Sequence, residues 1–208
     1  MRLPKSATII ITIVTAAAWF LTALLGADGR AAVIMGVIPA RLSGYVDITP
    51  AVPAWLTPLT STLVHGGALH VALNMLMLVW CGTKVERILG AGPLLLLYVV
   101  GAYTAAIAQW LASPASPTPM IGASGAISAV IGAFALSFGQ QKRLVSSPRL
   151  NRTLNALWLL AAWVVLQIMT GVLAGTQGFL LATPAHIGGF VAGLLLQRPL
   201  LMWRYRNA

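Results

Sequence analysis

The chain has 208 residues, of which 59% are hydrophobic and only 8% charged. A soluble globular domain carries about 25% charged residues, so this composition excludes one and requires a polytopic membrane protein. The net charge of +10 does not mark a nucleic-acid binder, because the basic residues stand between and after apolar runs, where orientation signals belong.

Six spans of about 20 residues can be read, at 6–25, 62–82, 93–112, 120–138, 153–174 and 183–201. The first follows Met1-Arg2-Leu3-Pro4-Lys5, a start that also describes a signal peptide. Near-spanning length and the lack of a small-x-small cleavage site favour a retained helix. The loop 26–61 contains too many glycines and prolines for a long helix. It is also too apolar for a plain solvated loop, so it is expected to lie partly in the membrane, with Trp55 and Tyr45 at headgroup level. An uncharged breaker, Ser113 to Pro119, precedes span four, and a basic loop around Gln140 to Arg152 follows it. A short turn near Gly175 to Gly178 leads to span six. The single Cys81 supplies neither a disulfide partner nor a metal-binding spacing. In this arrangement every Lys and Arg except Arg30 and Arg41 falls on one side, which makes both termini cytoplasmic.

Spans two, four and six then enter from the outside. His70, Ser124 and His186 lie about eight, four and three residues into them, depths that agree within roughly 5–8 Å at 1.5 Å per residue. Independent packing residues would have no reason to share a depth and a direction of entry. His70 and Asn74, at i and i+4, project from one face, and polar groups in hydrocarbon usually face a wet cavity or a partner. His70, Asn74, Ser124 and His186 are therefore expected around one water-filled cavity open to the outside.

Ser124 stands between small residues, Gly122-Ala123-Ser124-Gly125, at the head of a helix, where its hydroxyl can be approached closely. A serine nucleophile needs a base within hydrogen-bond reach, and His186 and His70 are both candidates. The usual third member is a carboxylate. Only Asp28, Asp47 and Glu86 exist, two in the first loop and one at the cytoplasmic end of span two. A hydrolase here would work as a Ser–His dyad unless an aspartate folds down from the loop. The Ser124 N–H, the Asn74 amide and a His70 N–H suit an oxyanion site.

Each residue also has a plainer reading. Gly122 and Gly125 can serve helix packing, His186 can be a satisfied packing histidine, and Asn74 can join two helices. Glu86 reads as an ion pair with Lys84 or Arg87, or as an interface anchor. Gly189 and Gly193 read as close packing of span six, with span four a candidate neighbour. Among functional alternatives, His65, His70 and His186 could ligate a metal, but His-Glu-x-x-His and a carboxylate base are missing. A non-enzymatic binding protein or transporter could use the same cavity. No metal or other cofactor is expected.

Gly-x-Ser-Gly heading span four, His-x-x-x-x-His-x-x-x-Asn on span two and Ala185-His186-Ile187-Gly188-Gly189 on span six resemble the rhomboid family of intramembrane serine proteases. The likeness covers about residues 58–197. It implies an all-α polytopic protein with the six-span core of the bacterial type, the whole chain forming one such domain in a plasma membrane. It implies Ser124 as nucleophile and His186 as general base and acid, with His70, Asn74 and the Ser124 amide at the oxyanion. His65 would help hold the outer loop, Glu86 would be structural, and the substrates would be single-span membrane proteins. Two positions depart from the family pattern. Leu56 follows Trp55 where Arg is common, and Ser128 stands where an aromatic often packs on the catalytic histidine.

Overall fold

The computed structural model describes residues 6–139, 145–176 and 181–206. Arg2, Lys5, Lys142 and Arg143, which carry part of the charge asymmetry, lie outside them, as does the end of the turn after span five. Among the described residues 78% are helical and none lies in a strand.

Helix α1 (Ala7–Leu24) begins at Ser6, whose side chain accepts the Ile9 N–H at 3.4 Å. The first N–H groups of a helix have no intrahelical partner and attract negative charge. Glu86 supplies it. Its carboxylate accepts from the Ala7 N–H at 2.7 Å, the Thr8 N–H at 3.0 Å, and the Ser6 and Thr8 hydroxyls at 2.7 and 2.6 Å. The ion pair expected of Glu86 is thus replaced by a helix cap formed with residues 78–80 positions earlier in the chain.

The first loop folds into short pieces, α2 (Asp28–Met35), α3 (Pro39–Leu42), a tight turn Ala54–Leu56 and α4 (Thr57–Thr60). Proline opens or nearly opens α3 and α4, where its missing N–H costs nothing. Without the family's Trp-Arg, the loop is anchored by backbone pairing and by side-chain bonds such as that of the Ser43 hydroxyl to the Pro114 carbonyl at 2.8 Å. Val37 pairs with Met120, N to O at 3.0 and 2.8 Å, and the Ala40 N–H donates to the Ser116 carbonyl at 3.0 Å. The Arg41 guanidinium donates to the Val52 carbonyl at 3.1 Å.

The next membrane helix is continuous from Ala68 to Leu89, later at both ends than the expected 62–82. Gly67, at φ +147°, takes a backbone conformation that L side chains rarely adopt, and it delays the start. The helix consists of α5 (Ala68–Met77), a π turn at Leu78–Gly82 and α6 (Thr83–Leu89). Gly82 lies within that turn and does not end the helix. It lets α1 approach, since a Cβ there would stand 2.9 Å from Thr8 Cγ2. After it come α7 (Ala91–Ala112), α8 (Ser124–Phe138), α9 (Pro148–Thr176) and α10 (Thr183–Arg204).

Helix α8 is at the centre. It is built of small residues and is buried on nearly every side, as a helix apolar all round should be. Its Ile127 and Val130 join Leu78, Leu94 and Leu97 of the neighbouring helices in the core. Glycine lets α10 approach at backbone distance, with Gly189 against the Gly125 carbonyl and Gly193 against that of Ala129. The outer helices α1 and α9 instead expose Ile13, Phe20, Trp158, Leu166 and Met169. Exposed apolar area on that scale marks a surface made for lipid. Among the described residues, five helices are long and apolar enough to cross a membrane: Ala7–Leu24, Ala68–Leu89, Ala91–Ala112, Pro148–Val172 and Thr183–Arg204. The sixth apolar helix, α8, has 15 residues.

Candidate active site

Ser124 is the first residue of α8, and the segment before it is pinned from several directions. The Gly122 N–H donates to the Ser61 carbonyl at 2.9 Å. His65, wholly buried, accepts the Ala123 N–H in a long bond of 3.4 Å. His65 precedes α5, and burial, followed by the nearby His70 ring, pushes its pKa down to about 4, so it stays a neutral acceptor at ordinary pH. Its ring meets that of His70 edge-on, with centroids 5.0 Å apart.

On α10, His186 is 8% exposed and its Nε2 lies 2.8 Å from the Ser124 Oγ. The two residues are 62 positions apart and meet because α8 and α10 touch along their glycines. Of the two histidines that could serve as base, His186 is the one in hydrogen-bond contact with Ser124.

The other imidazole nitrogen finds a partner that the sequence did not flag. His186 Nδ1 lies 2.8 Å from Oε1 of Gln167, a residue of α9 only 7% exposed. The one signal for it was an isolated amide inside an apolar helix. No aspartate takes that place. Asp28 opens α2, and the Asp47 carboxylate accepts the neighbouring Ile48 N–H at 2.9 Å.

His70 and Asn74 face the turn before Ser124. The Gly66 N–H donates to His70 Nδ1 at 3.3 Å. With Nδ1 accepting, the neutral ring carries its proton on Nε2. Gly122, at φ +110°, has room for no side chain, because a Cβ there would stand 2.8 Å from His70 Nε2 and 3.7 Å from Asn74 Nδ2. The Asn74 Nδ2 group is buried with no hydrogen-bond partner, a donor left open beside the serine turn. Gly125 admits α7, since a Cβ on it would stand 2.5 Å from that of Ala105. Ser128 donates its hydroxyl to the Ser124 carbonyl at 2.8 Å and so turns away from the imidazole. A small cavity opens beside Ser124, lined by Ser61, Met120, Gly122, Gly125, Ala182 and Ala185.

These features define a polytopic helical membrane protein with a serine and a histidine in contact at the heads of two buried helices. The rhomboid domain model matches residues 53–203, and the chain belongs to the rhomboid family. It is 43% identical over 79 residues to rhomboid protease GluP of Bacillus subtilis, covering 38% of this chain and 15% of that one. It is 32% identical over 146 residues to RHOMBOID-like protein 4 of Arabidopsis thaliana, covering 69% and 34%. With rhomboid protease GlpG of Pectobacterium atrosepticum the identity is 30% over 135 residues, covering 64% and 44%. The chain thus spans less than half the length of these relatives.

Proposed function

We propose that this protein is an intramembrane serine endopeptidase that cuts transmembrane segments with Ser124 as nucleophile and His186 as general base and acid. The observation that carries this is the 2.8 Å contact between Ser124 Oγ and His186 Nε2, within the range a nucleophile and its base require. Membership of a family whose curated relatives include named proteases supports it.

Ser124 Oγ attacks the scissile carbonyl carbon while its proton passes to His186 Nε2. The negative oxygen of the tetrahedral intermediate is met by the Ser124 N–H at the helix head, His70 Nε2–H and the unpaired Asn74 amide. The C–N bond then breaks and His186 returns its proton to the leaving amine. Water attacks the acyl-serine with His186 again as base, and Ser124 is restored.

Six spans make up the domain, which is the whole chain, 1–208, with α8 as the short fourth. At 1.5 Å per residue, its 15 residues reach about 22 Å, less than the roughly 30 Å hydrocarbon core. The segment 113–123 fills the remaining depth, which sinks Ser124 below the outer surface in a wet cavity. Substrates are single-span membrane proteins. The protein resides in a bacterial plasma membrane with both termini cytoplasmic, in keeping with Lys84, Arg87, Arg149, Arg152, Arg198, Arg204 and Arg206 at one end of the helices.

The decisive experiment incubates purified protein in detergent with a labelled transmembrane substrate. Ser124→Ala and His186→Ala should each abolish cleavage while the protein stays folded and membrane-embedded. Cleavage by Ser124→Ala near the wild-type rate would overturn the serine mechanism.

A further inference from the structure

The geometry points to Gln167 as a positioning residue that holds the His186 imidazole in the tautomer and ring plane from which it can take the Ser124 proton. This assignment rests on the protease function proposed above. A neutral imidazole carries one N–H and one acceptor nitrogen. His186 can accept from Ser124 at Nε2 only while Nδ1 holds the proton, and which nitrogen holds it is set by the partner of the other. The Gln167 Oε1, 2.8 Å from Nδ1, is an acceptor and selects that form.

Two further observations support the role. Position 128 cannot supply an aromatic ring to stack on the imidazole, because it is a serine whose hydroxyl is committed to the Ser124 carbonyl. One turn before Gln167 on α9, Trp163 donates its indole N–H to the His186 carbonyl at 3.2 Å and stacks on Phe190 at 4.8 Å. Helix α9 therefore holds His186 by ring and by backbone from a single face. An amide is also the orienting group a membrane interior tolerates, since it accepts the Nδ1–H hydrogen bond without the desolvation cost of a buried carboxylate.

The test compares Gln167→Met, which keeps the shape and loses the acceptor, with Gln167→Glu, which keeps an acceptor. Readouts are kcat and KM on a fluorogenic transmembrane peptide, the rate at which a fluorophosphonate labels Ser124, and the thermal melt. Gln167→Met should lower kcat and labelling together by about ten- to a hundredfold, less than the roughly 10⁴ lost when a charged orienting group is neutralised. Its KM should stay within about twofold and its melt unchanged. Gln167→Glu should recover most of that loss and move the acid limb of the rate profile to higher pH, because a carboxylate favours the protonated imidazole.

Wild-type kcat and labelling in Gln167→Met would overturn the assignment. So would a Glu variant as slow as the Met variant with an intact melt. If the Met variant does not fold, an unmoved acid limb in Gln167→Glu overturns it instead. Failure of the protease function itself is distinct, because the wild type would then show no cleavage or labelling that depends on Ser124.

Discussion

Ser128 shows how closely a side chain can approach the Ser124–His186 contact without bonding to either side chain. It lies one turn into α8, yet its hydroxyl bonds the Ser124 carbonyl at 2.8 Å, the local bond that serines in helices commonly make. Ser128→Ala should therefore lower the cleavage rate less than about tenfold, or roughly 1.4 kcal/mol of barrier, with little change in melting temperature. A fall as deep as that of Ser124→Ala with an unchanged melt would put the hydroxyl among the reacting groups. Ser124 and His186 were legible in the sequence because a hydroxyl and an imidazole are conspicuous in apolar runs and entered their spans from the same side. Gln167 was not. Its meaning lies wholly in a contact with His186, 19 positions on, between two helices whose juxtaposition no residue type announces. Asn74 was legible as a polar residue on the His70 face, but not as a donor left unpaired.

Between elements, the carboxylate of Glu86 does what a local cap usually does. It joins the head of α1 to the lower half of the α5–α6 helix through four hydrogen bonds. Hydrogen bonds to a charged group contribute about 1.5–3 kcal/mol each when geometry is good, and only part of that survives because the site is half exposed. Glu86→Ala should lower stability by about 2 kcal/mol and loosen α1, seen as a lower melting temperature and faster proteolysis near residue 6. Turnover per folded molecule should change little. Sequence reasoning located this glutamate at the right end of the right helix and gave it the wrong partners, since Lys84 and Arg87 were nearer in the chain than Ser6 and Thr8. The boundaries of α5 followed the same pattern. The apolar run began at Thr62, but Gly66 and Gly67 break it before the helix can start.

For the molecule as a whole, orientation is the testable property. Single cysteines at positions 116 and 145, introduced into a Cys81→Ser background, should react with a membrane-impermeant maleimide from the outside and from the cytoplasm respectively. The reverse pattern would turn the cavity beside Ser124 toward the cytoplasm and overturn the proposed topology.

The π turn at Leu78–Gly82 sets a phase relation. It accommodates one more residue than an α turn, and one residue of α-helix corresponds to about 100° of rotation. Above it, His70 and Asn74 face the turn before Ser124. Below it, Glu86 faces the start of α1. Both aims are met by one rod only because the extra residue offsets its two halves. Deleting a single residue there would leave a helix just as apolar and nearly as long, yet His70 and Glu86 could no longer both point at their neighbours.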